Sequence, residues 1–450
     1  MRKAREIVSR YERATGGKLH EGKTMVMPIG KTRLRQMTNK QLDVKYSMMG
    51  EEDREVYLGD LMGNGITEEE RFGKILEAIE KTGQKWNKED IGIYGQSLLA
   101  NTLLLSKISH RASVNPLSPQ IRKAITEKFK AFIWKGEAKR GKVRWEVLMR
   151  KEEEGGVGLR DPVCALDAAK INILVNLMTK DKQPWMRWIE RKLVRVAERW
   201  RVAEAMAAKP NKQQVKELKQ NCIVESTLKV WFEVGGTGGG PKEEVQMKRG
   251  EKKTVRLSGI GMETERGWIP IERLKGRHIY DRLVRTRLTL KNYKPSEAHK
   301  TVKTIQKMLT AKERDYWWRL THRVTPIKKK ESKWRRGEDG ELVSATCPVC
   351  KEEEETWDHY DYECSGVRRM NEKVAAWIGR DPFSKEEWRL EKQKMERQEI
   401  LIIAKARWIY HCERCKMDMG RRRKLNIEVL RETSKSSKRR SRRSGGKSGV

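Results

Sequence analysis

Four residues near the C-terminal end have the types and spacing of a metal site. In CPVCKEEEETWDHYDYEC, two residues separate Cys347 from Cys350, eight separate Cys350 from His359 and four separate His359 from Cys364. Three thiolates and one imidazole are the donors a tetrahedral Zn²⁺ takes. A two-residue spacer lets both sulfurs converge on one ion, and Pro348 restricts the turn between them. All four positions are filled, so the site would be closed and structural, with no place for a catalytic water. Asp358 or Glu363 could orient His359, and the acidic run Glu352 to Glu355 would partly offset the surrounding positive charge. The competing reading is three buried cysteines that happen to lie near a surface histidine. A second grouping, His411, Cys412 and Cys415 in WIYHCERCKM, lacks a fourth ligand and fits one helix without metal.

What must position these residues is a long and very basic chain. Its 450 residues carry 100 Lys and Arg against 63 Asp and Glu, a formal charge of +37. That is far beyond what solubility needs, and its simplest partner is a polyanion, RNA or DNA, because each neutralised phosphate releases a condensed counterion. An anionic membrane surface is the rival partner, but no apolar run approaches the roughly 18 residues of a spanning helix. The N-terminus has no apolar signal core. The expected setting is therefore intracellular, nuclear or cytoplasmic. No membrane and no small-molecule substrate are expected. Seven cysteines, five of them after residue 346, argue for metal chemistry over a disulfide framework.

Hydrophobic periodicity predicts a mainly α protein. Residues 1–65 read as a small α+β head. Residues 66–206 read as a helical block, in which TEEERFGKILEAIEKTGQKW opens on a threonine cap and an acidic first turn. Residues 207–262 lose periodicity to Pro, Gly and charge and read as a linker or mobile insertion. Helices resume over 263–432, with the cysteine cluster in about 310–370, and 433–450 reads as a disordered basic tail. Fifteen tryptophans against five phenylalanines is an unusual ratio, and several sit beside basic residues. Trp317, Trp318 and Arg319 in YWWRLTHR are the candidates to stack a nucleobase and meet a phosphate. The alternative is that such tryptophans are core anchors.

Read together, these segments resemble non-LTR (LINE-type) retrotransposon reverse transcriptases from palm motif D onward. YWWRLTHRVTP, KWRR and then CPVC…DH…EC resemble the zinc-binding region that follows the polymerase in that family. ATGGKLHEGKT resembles motif D, with Lys23 at its lysine and His20 where Asn is usual. VYLGDLMG resembles the primer grip of motif E. Trp86 followed by IYGQ, with Gln96 where Arg is common, resembles the thumb entry, and FIWKG and EEGGVGLRDP resemble the thumb. WIYHCERCKM resembles a Trp-x-x-Arg-Cys-Glu-Arg segment near the family's C-terminal end, which favours the metal-free reading of Cys412 and Cys415. The resemblance implies a partial palm in 1–65, a helical thumb in 66–206 and a helical C-terminal domain with a small zinc-binding motif. It implies that Lys23 is a candidate general acid, that Tyr57, Leu58 and Gly59 hold the primer terminus, and that RNA and DNA are the partners.

One departure matters more than the matches. The family's chemistry uses paired aspartates on two Mg²⁺ ions, and no Asp-Asp pair occurs in the 450 residues. Those motifs would lie upstream of motif D, so Mg²⁺ enters only if this chain is joined to an upstream catalytic half. By itself the chain is expected to bind and not to polymerise. Asp53, Asp60, Asp90 and Asp161 read as caps. GGKS at 445–448 lacks the first glycine of a phosphate loop, and GGTGGG at 235–240 is set in no strand-to-helix turn.

Overall fold

The structure is a computed structural model, and its described residues are 2–27, 47–57, 59–87, 91–136, 141, 143–179, 222–238, 260–264, 267–288, 295–337, 339–392 and 394–421. It is mainly helical with a few small sheets. Among the described residues no helix is long and apolar enough to cross a membrane. The chain divides into two compact units. One takes Met1–Thr82, Leu105–Lys128 and Leu166–Ile279, and the other takes Gly83–Leu104, Phe129–Ala165 and Tyr280–Val450. Neither follows one of the consecutive spans expected from the sequence, because each gathers segments far apart in the chain.

In the first unit, α1 (Arg2–Thr15) precedes a two-residue parallel pair, β1 (Met25–Val26) with β2 (Ser47–Met48). An antiparallel hairpin follows, β3 (Glu55–Tyr57) with β4 (Asp60–Met62). Its turn needs Gly59, whose φ of 82° lies in the left-handed region. Next comes α2 (Glu68–Asn87), which opens as its sequence predicts. The Thr67 hydroxyl accepts from Glu70 N–H, and the Glu70 carboxylate accepts from Thr67 N–H in return.

Asp60 does more than cap. Its carboxylate takes Arg71 at 3.1 Å, Arg111 at 3.3 Å and the Asn115 side-chain amide at 2.9 Å, while Arg111 also donates to the Gly59 carbonyl at 2.7 Å. Arg111 and Asn115 are buried. The hairpin turn is thus fastened by guanidinium groups from α2 and from the helix around residue 111, contacts of a kind local sequence does not reveal.

The span expected to be a linker carries, in its described residues, a helix and two strands. Cys222–Glu233 is a helix that buries Leu228, Val230 and Trp231, and Gly236–Gly238 pairs with Ile260–Thr264, which pairs in turn with Gly267–Pro270. The glycine-rich composition masked an apolar helix face and a short sheet. The rest of that span, residues 180–206 of the expected thumb, and the tail all lie outside the described residues.

In the second unit, α3 (Gly92–Leu99) runs into a π-helical turn at Ala100–Leu104. The Gly155–Pro162 segment passes beside it. Ser97 Oγ donates to the Val157 carbonyl at 3.0 Å and the Asn101 amide to the Gly158 carbonyl at 2.9 Å. Gly156 is obligatory, since a Cβ there would sit 2.0 Å from the Arg150 carbonyl oxygen. Asp161 is the cap the sequence suggests. It accepts from Cys164 N–H at 2.7 Å and from the Trp145 indole at 3.3 Å, opening the helix Pro162–Thr179. Toward the C-terminal end lie two helices, Lys385–Trp388 and Arg397–Asp418, separated by 389–396.

Asp60→Ala strands two largely buried guanidinium groups. It is expected to weaken the hairpin by about 2 kcal/mol, a value reduced from that of a fully buried pair because Arg71 and Arg111 keep some solvent contact. Amide hydrogen exchange over residues 55–62 checks it, and unchanged protection would show that the Asp60 contacts do not hold the turn.

Candidate metal centre

Two local features start the site. The Arg335–Val343 pairing leads the chain along Ser344 to Thr346 into Cys347, and an isolated antiparallel bridge joins Thr346 to Glu354. Between them CPVC turns back on itself, with Lys351 N–H on the Cys347 carbonyl at 3.0 Å and Val349 N–H on the Cys347 sulfur at 3.4 Å. The second pair of donors comes from a π-helical turn, His359–Glu363, that ends at Cys364 and passes directly into the helix Ser365–Ile378. Its wider turn, closed by Cys364 N–H on the His359 carbonyl at 3.1 Å, sets both donors toward the first pair.

The structure brings all four sequence-identified residues together. One ligand atom from each of Cys347, Cys350, His359 and Cys364 lies within 4.8 Å of the others. Cys347 Sγ is 3.8 Å from Cys364 Sγ, and Cys350 Sγ is 3.4 Å from His359 Nε2. Around a tetrahedral ion with bonds of about 2.3 Å to sulfur, two sulfurs stand about 3.8 Å apart. The four side chains therefore could hold a metal ion, and their spacing fits zinc. Three of the four are buried, Cys350 being partly so. One proton held between the two sulfurs, together with burial, pushes the Cys347 thiol up, and the same contact pulls Cys364 down. With all three cysteines deprotonated, so small a space would need a cation among the sulfurs, which a bound metal ion would supply.

Glu353, not Asp358 or Glu363, meets the far side of the imidazole, with its carboxylate 2.9 Å from His359 Nδ1. This arrangement fixes Nε2 as the atom facing the cluster. Asp358 instead pairs with Arg389 at 2.5 Å and Glu363 with Lys385 at 3.3 Å.

The helix Arg397–Asp418 backs the site with one face. Arg407, Tyr410, His411 and Arg414 recur at helical spacing, and Arg407, Tyr410 and Arg414 are buried. Arg414 Nε donates to Glu355 Oε1 at 2.8 Å, its Nη2 binds the other oxygen, and Glu355 also accepts from Lys328 N–H at 2.7 Å. Arg407 pairs with Asp361, donates to the Trp388 carbonyl at 3.1 Å and lies over the Trp317 ring at 5.1 Å. His411 is stacked on Tyr316 at 4.7 Å and bonded to the Tyr360 hydroxyl at 2.8 Å. Burial, then the nearby Arg414 and Arg319, pull it down to about 3, so it stays a neutral ring in an aromatic cluster. Burial pushes the Cys412 thiol up to about 11. Among the described residues the Cys347 group is the one metal-capable cluster, and His411, Cys412 and Cys415 lie along one helix.

The tryptophan pair is not a stacking platform. Trp317 and Trp318, on the helix Ala311–Thr321, are only 2% and 3% exposed. The Trp317 indole donates to the Ala404 carbonyl at 3.2 Å and the Trp318 indole to the Gly155 carbonyl at 3.1 Å. His322 adds a second bond to the same carbonyl at 2.7 Å. Arg319 turns back to Asp315 at 2.7 Å. Both tryptophans sit in the core, and Trp318 fastens the Gly155–Gly158 loop. The primer-grip candidates stand apart. Tyr57 is 65% exposed on the hairpin, Gly59 forms its turn, and Leu58 lies outside the described residues. Lys23 is exposed at the end of a short turn, Glu21–Lys23.

Sequence reasoning missed Glu355 and Arg414, because a glutamate in an acidic run and an arginine in a basic helix both read as solvated. Arg414→Met leaves a fully buried carboxylate without its cation and is expected to cost about 3–5 kcal/mol. Replacing both partners by Leu is expected to recover most of that in urea unfolding. A double variant as unstable as the single one would show that the pair is not what the fold depends on. No protein-family model matches the chain and no curated protein matches it, so a functional reading rests on this geometry and on the sequence motifs.

Proposed function

We propose that the chain is a nucleic-acid-binding portion of a LINE-type reverse transcriptase. It would carry part of the palm, the thumb and a C-terminal domain built on a structural zinc held by Cys347, Cys350, His359 and Cys364. The observation that carries the binding reading is the formal charge of +37. A closed four-donor cluster offers no coordination position for a substrate, so the zinc would organise the domain and the excess of Lys and Arg would meet phosphates. The family reading draws support from one contact. GGVGLRDP, one of the two most specific motifs, meets the aromatic helix that precedes the other, the cysteine cluster, where the Trp318 indole and His322 bind the Gly155 carbonyl.

In this reading template–primer duplex is gripped through its backbone without sequence readout, and RNA or target DNA is held by the zinc-bearing domain. Tyr57, Leu58 and Gly59 would contact the primer end and Lys23 would act only alongside a catalytic half. A second reading is favoured by the lack of any Asp-Asp pair. In it the chain is a non-catalytic zinc-containing binder of RNA or DNA derived from such an element.

The purified chain is expected to carry one zinc by native mass spectrometry. Cys347→Ser should lose it, with faster hydrogen exchange confined to roughly residues 340–370. Retained zinc in that variant would reject the ligand set. The zinc-loaded chain is also expected to bind duplex and single-stranded oligonucleotides with an affinity that falls steeply with salt, and to extend no primer when given Mg²⁺ and deoxynucleotides. Failure to bind either form at low salt would overturn both readings, and primer extension would overturn the non-catalytic one.

A further inference from the structure

With Trp317 and Trp318 buried, the aromatic that faces solvent in this region is a different one. Trp334 is 62% exposed. It follows the short helix Lys328–Glu331, whose last turn holds it by a bond from Trp334 N–H to the Glu331 carbonyl at 3.0 Å. The chain then forms a small hairpin. Val343 N–H reaches the Arg335 carbonyl at 3.0 Å, Arg336 bridges to Leu342, and the Arg336 guanidinium closes on the Gly340 carbonyl at 2.7 Å. Asp339 accepts from Glu341 N–H at 3.0 Å and stiffens the tip.

This finger stands on the candidate metal loop. At its base, Lys328 N–H is held by the buried Glu355 carboxylate, and its far strand continues through Ala345, whose carbonyl takes Glu355 N–H at 2.9 Å, into Cys347. The indole is therefore exposed on a fixed support and not on a wandering loop.

The stretch that carries it is strongly basic. From Lys328 to Arg336 the sequence KKKESKWRR holds six cations and one carboxylate, and three acidic residues, Glu338, Asp339 and Glu341, follow in the sequence. Three other neighbouring carboxylates are already matched. Glu331 is met by Arg335 at 2.9 Å, Glu354 by Lys329 at 2.8 Å, and Asp418 by Lys328 and Arg335. Lys333 and Arg336 are exposed on either side of the indole in the sequence. Lys330, one of the six, lies 5.0 Å over the Trp357 ring at the base.

We infer that Trp334 is a stacking platform for an unpaired nucleobase, with Lys333 and Arg336 meeting the phosphates on either side of it. An exposed indole offers a π-face that every base can use, and cations beside it track the backbone. A duplex keeps its bases stacked on one another and gains nothing from the indole, so the partner is a single strand. The inference rests on the nucleic-acid reading above and adds to it a residue and a strand form.

The test uses the full zinc-loaded chain and fluorescence anisotropy of a labelled oligonucleotide, single-stranded or as a duplex of equal length. Trp334→Ala is expected to weaken single-strand binding roughly 5- to 150-fold while leaving duplex binding unchanged. Trp334→Phe, which keeps an aromatic face, should retain most of the affinity. Trp377→Ala, at the other strongly exposed tryptophan among the described residues, should change neither. At 62% exposure Trp334 is not a core residue, so equal zinc content in all variants is the expected control. Unchanged single-strand binding in Trp334→Ala would overturn the inference, as would equal weakening of both forms. A wild-type chain that binds neither form would instead overturn the nucleic-acid reading on which it stands, whereas loss limited to the single strand supports both.

Discussion

A carboxylate with no access to water must find positive charge, and Glu355 finds Arg414. Both are essentially fully buried, and the guanidinium meets both carboxylate oxygens. Removing two charges from water is costly, and good geometry with every lone pair used is what offsets it. The pair fixes three things at once. It sets the depth of the loop carrying Cys347 and Cys350, it seats the start of the Lys328–Glu331 helix through Lys328 N–H, and it selects the face that Arg397–Asp418 turns inward. Once Arg414 points at Glu355, helical spacing points Arg407 at Asp361 and His411 at Tyr360.

That alignment explains why four donors meet in a domain so dominated by like charge. The acidic run between the cysteines is not a diffuse counterweight to the basic surface. Each of its last three members has a separate partner. Glu353 meets the imidazole of His359, Glu354 meets Lys329, and Glu355 meets Arg414. The run is acidic because three different contacts each need a carboxylate.

The ligand set was legible in the sequence because a metal site is encoded by donor type and short spacing, which survive whatever the rest of the chain does. The threonine cap at Thr67 and the cap at Asp161 were legible for the same reason. Trp317 and Trp318 were not. A tryptophan beside an arginine reads alike whether its helix face meets solvent or core, and the groups that decide it, the carbonyls of Ala404 and Gly155, are more than 80 residues away. Asp60 misled in the same way, since its guanidinium partners at Arg71 and Arg111 are set by packing. The 222–238 segment was hidden by glycines that mark its turn and strand, although the alternation that buries Leu228, Val230 and Trp231 lies just ahead of them.

Burial also decides how the two aromatic motifs divide their work. The Trp318 indole spends its single donor on Gly155, and with His322 it fills the accepting capacity of a carbonyl in a loop that cannot tolerate a side chain at Gly156. Such a tryptophan cannot leave the core to meet a base without stranding that carbonyl and opening a cavity, at a cost of several kcal/mol. Stacking on a base yields about 1–3 kcal/mol. The buried pair is thus excluded from recognition by magnitude alone. An indole already in solvent, like that of Trp334, has no such cost to overcome. Trp334 is free for contact because the core has no use for it.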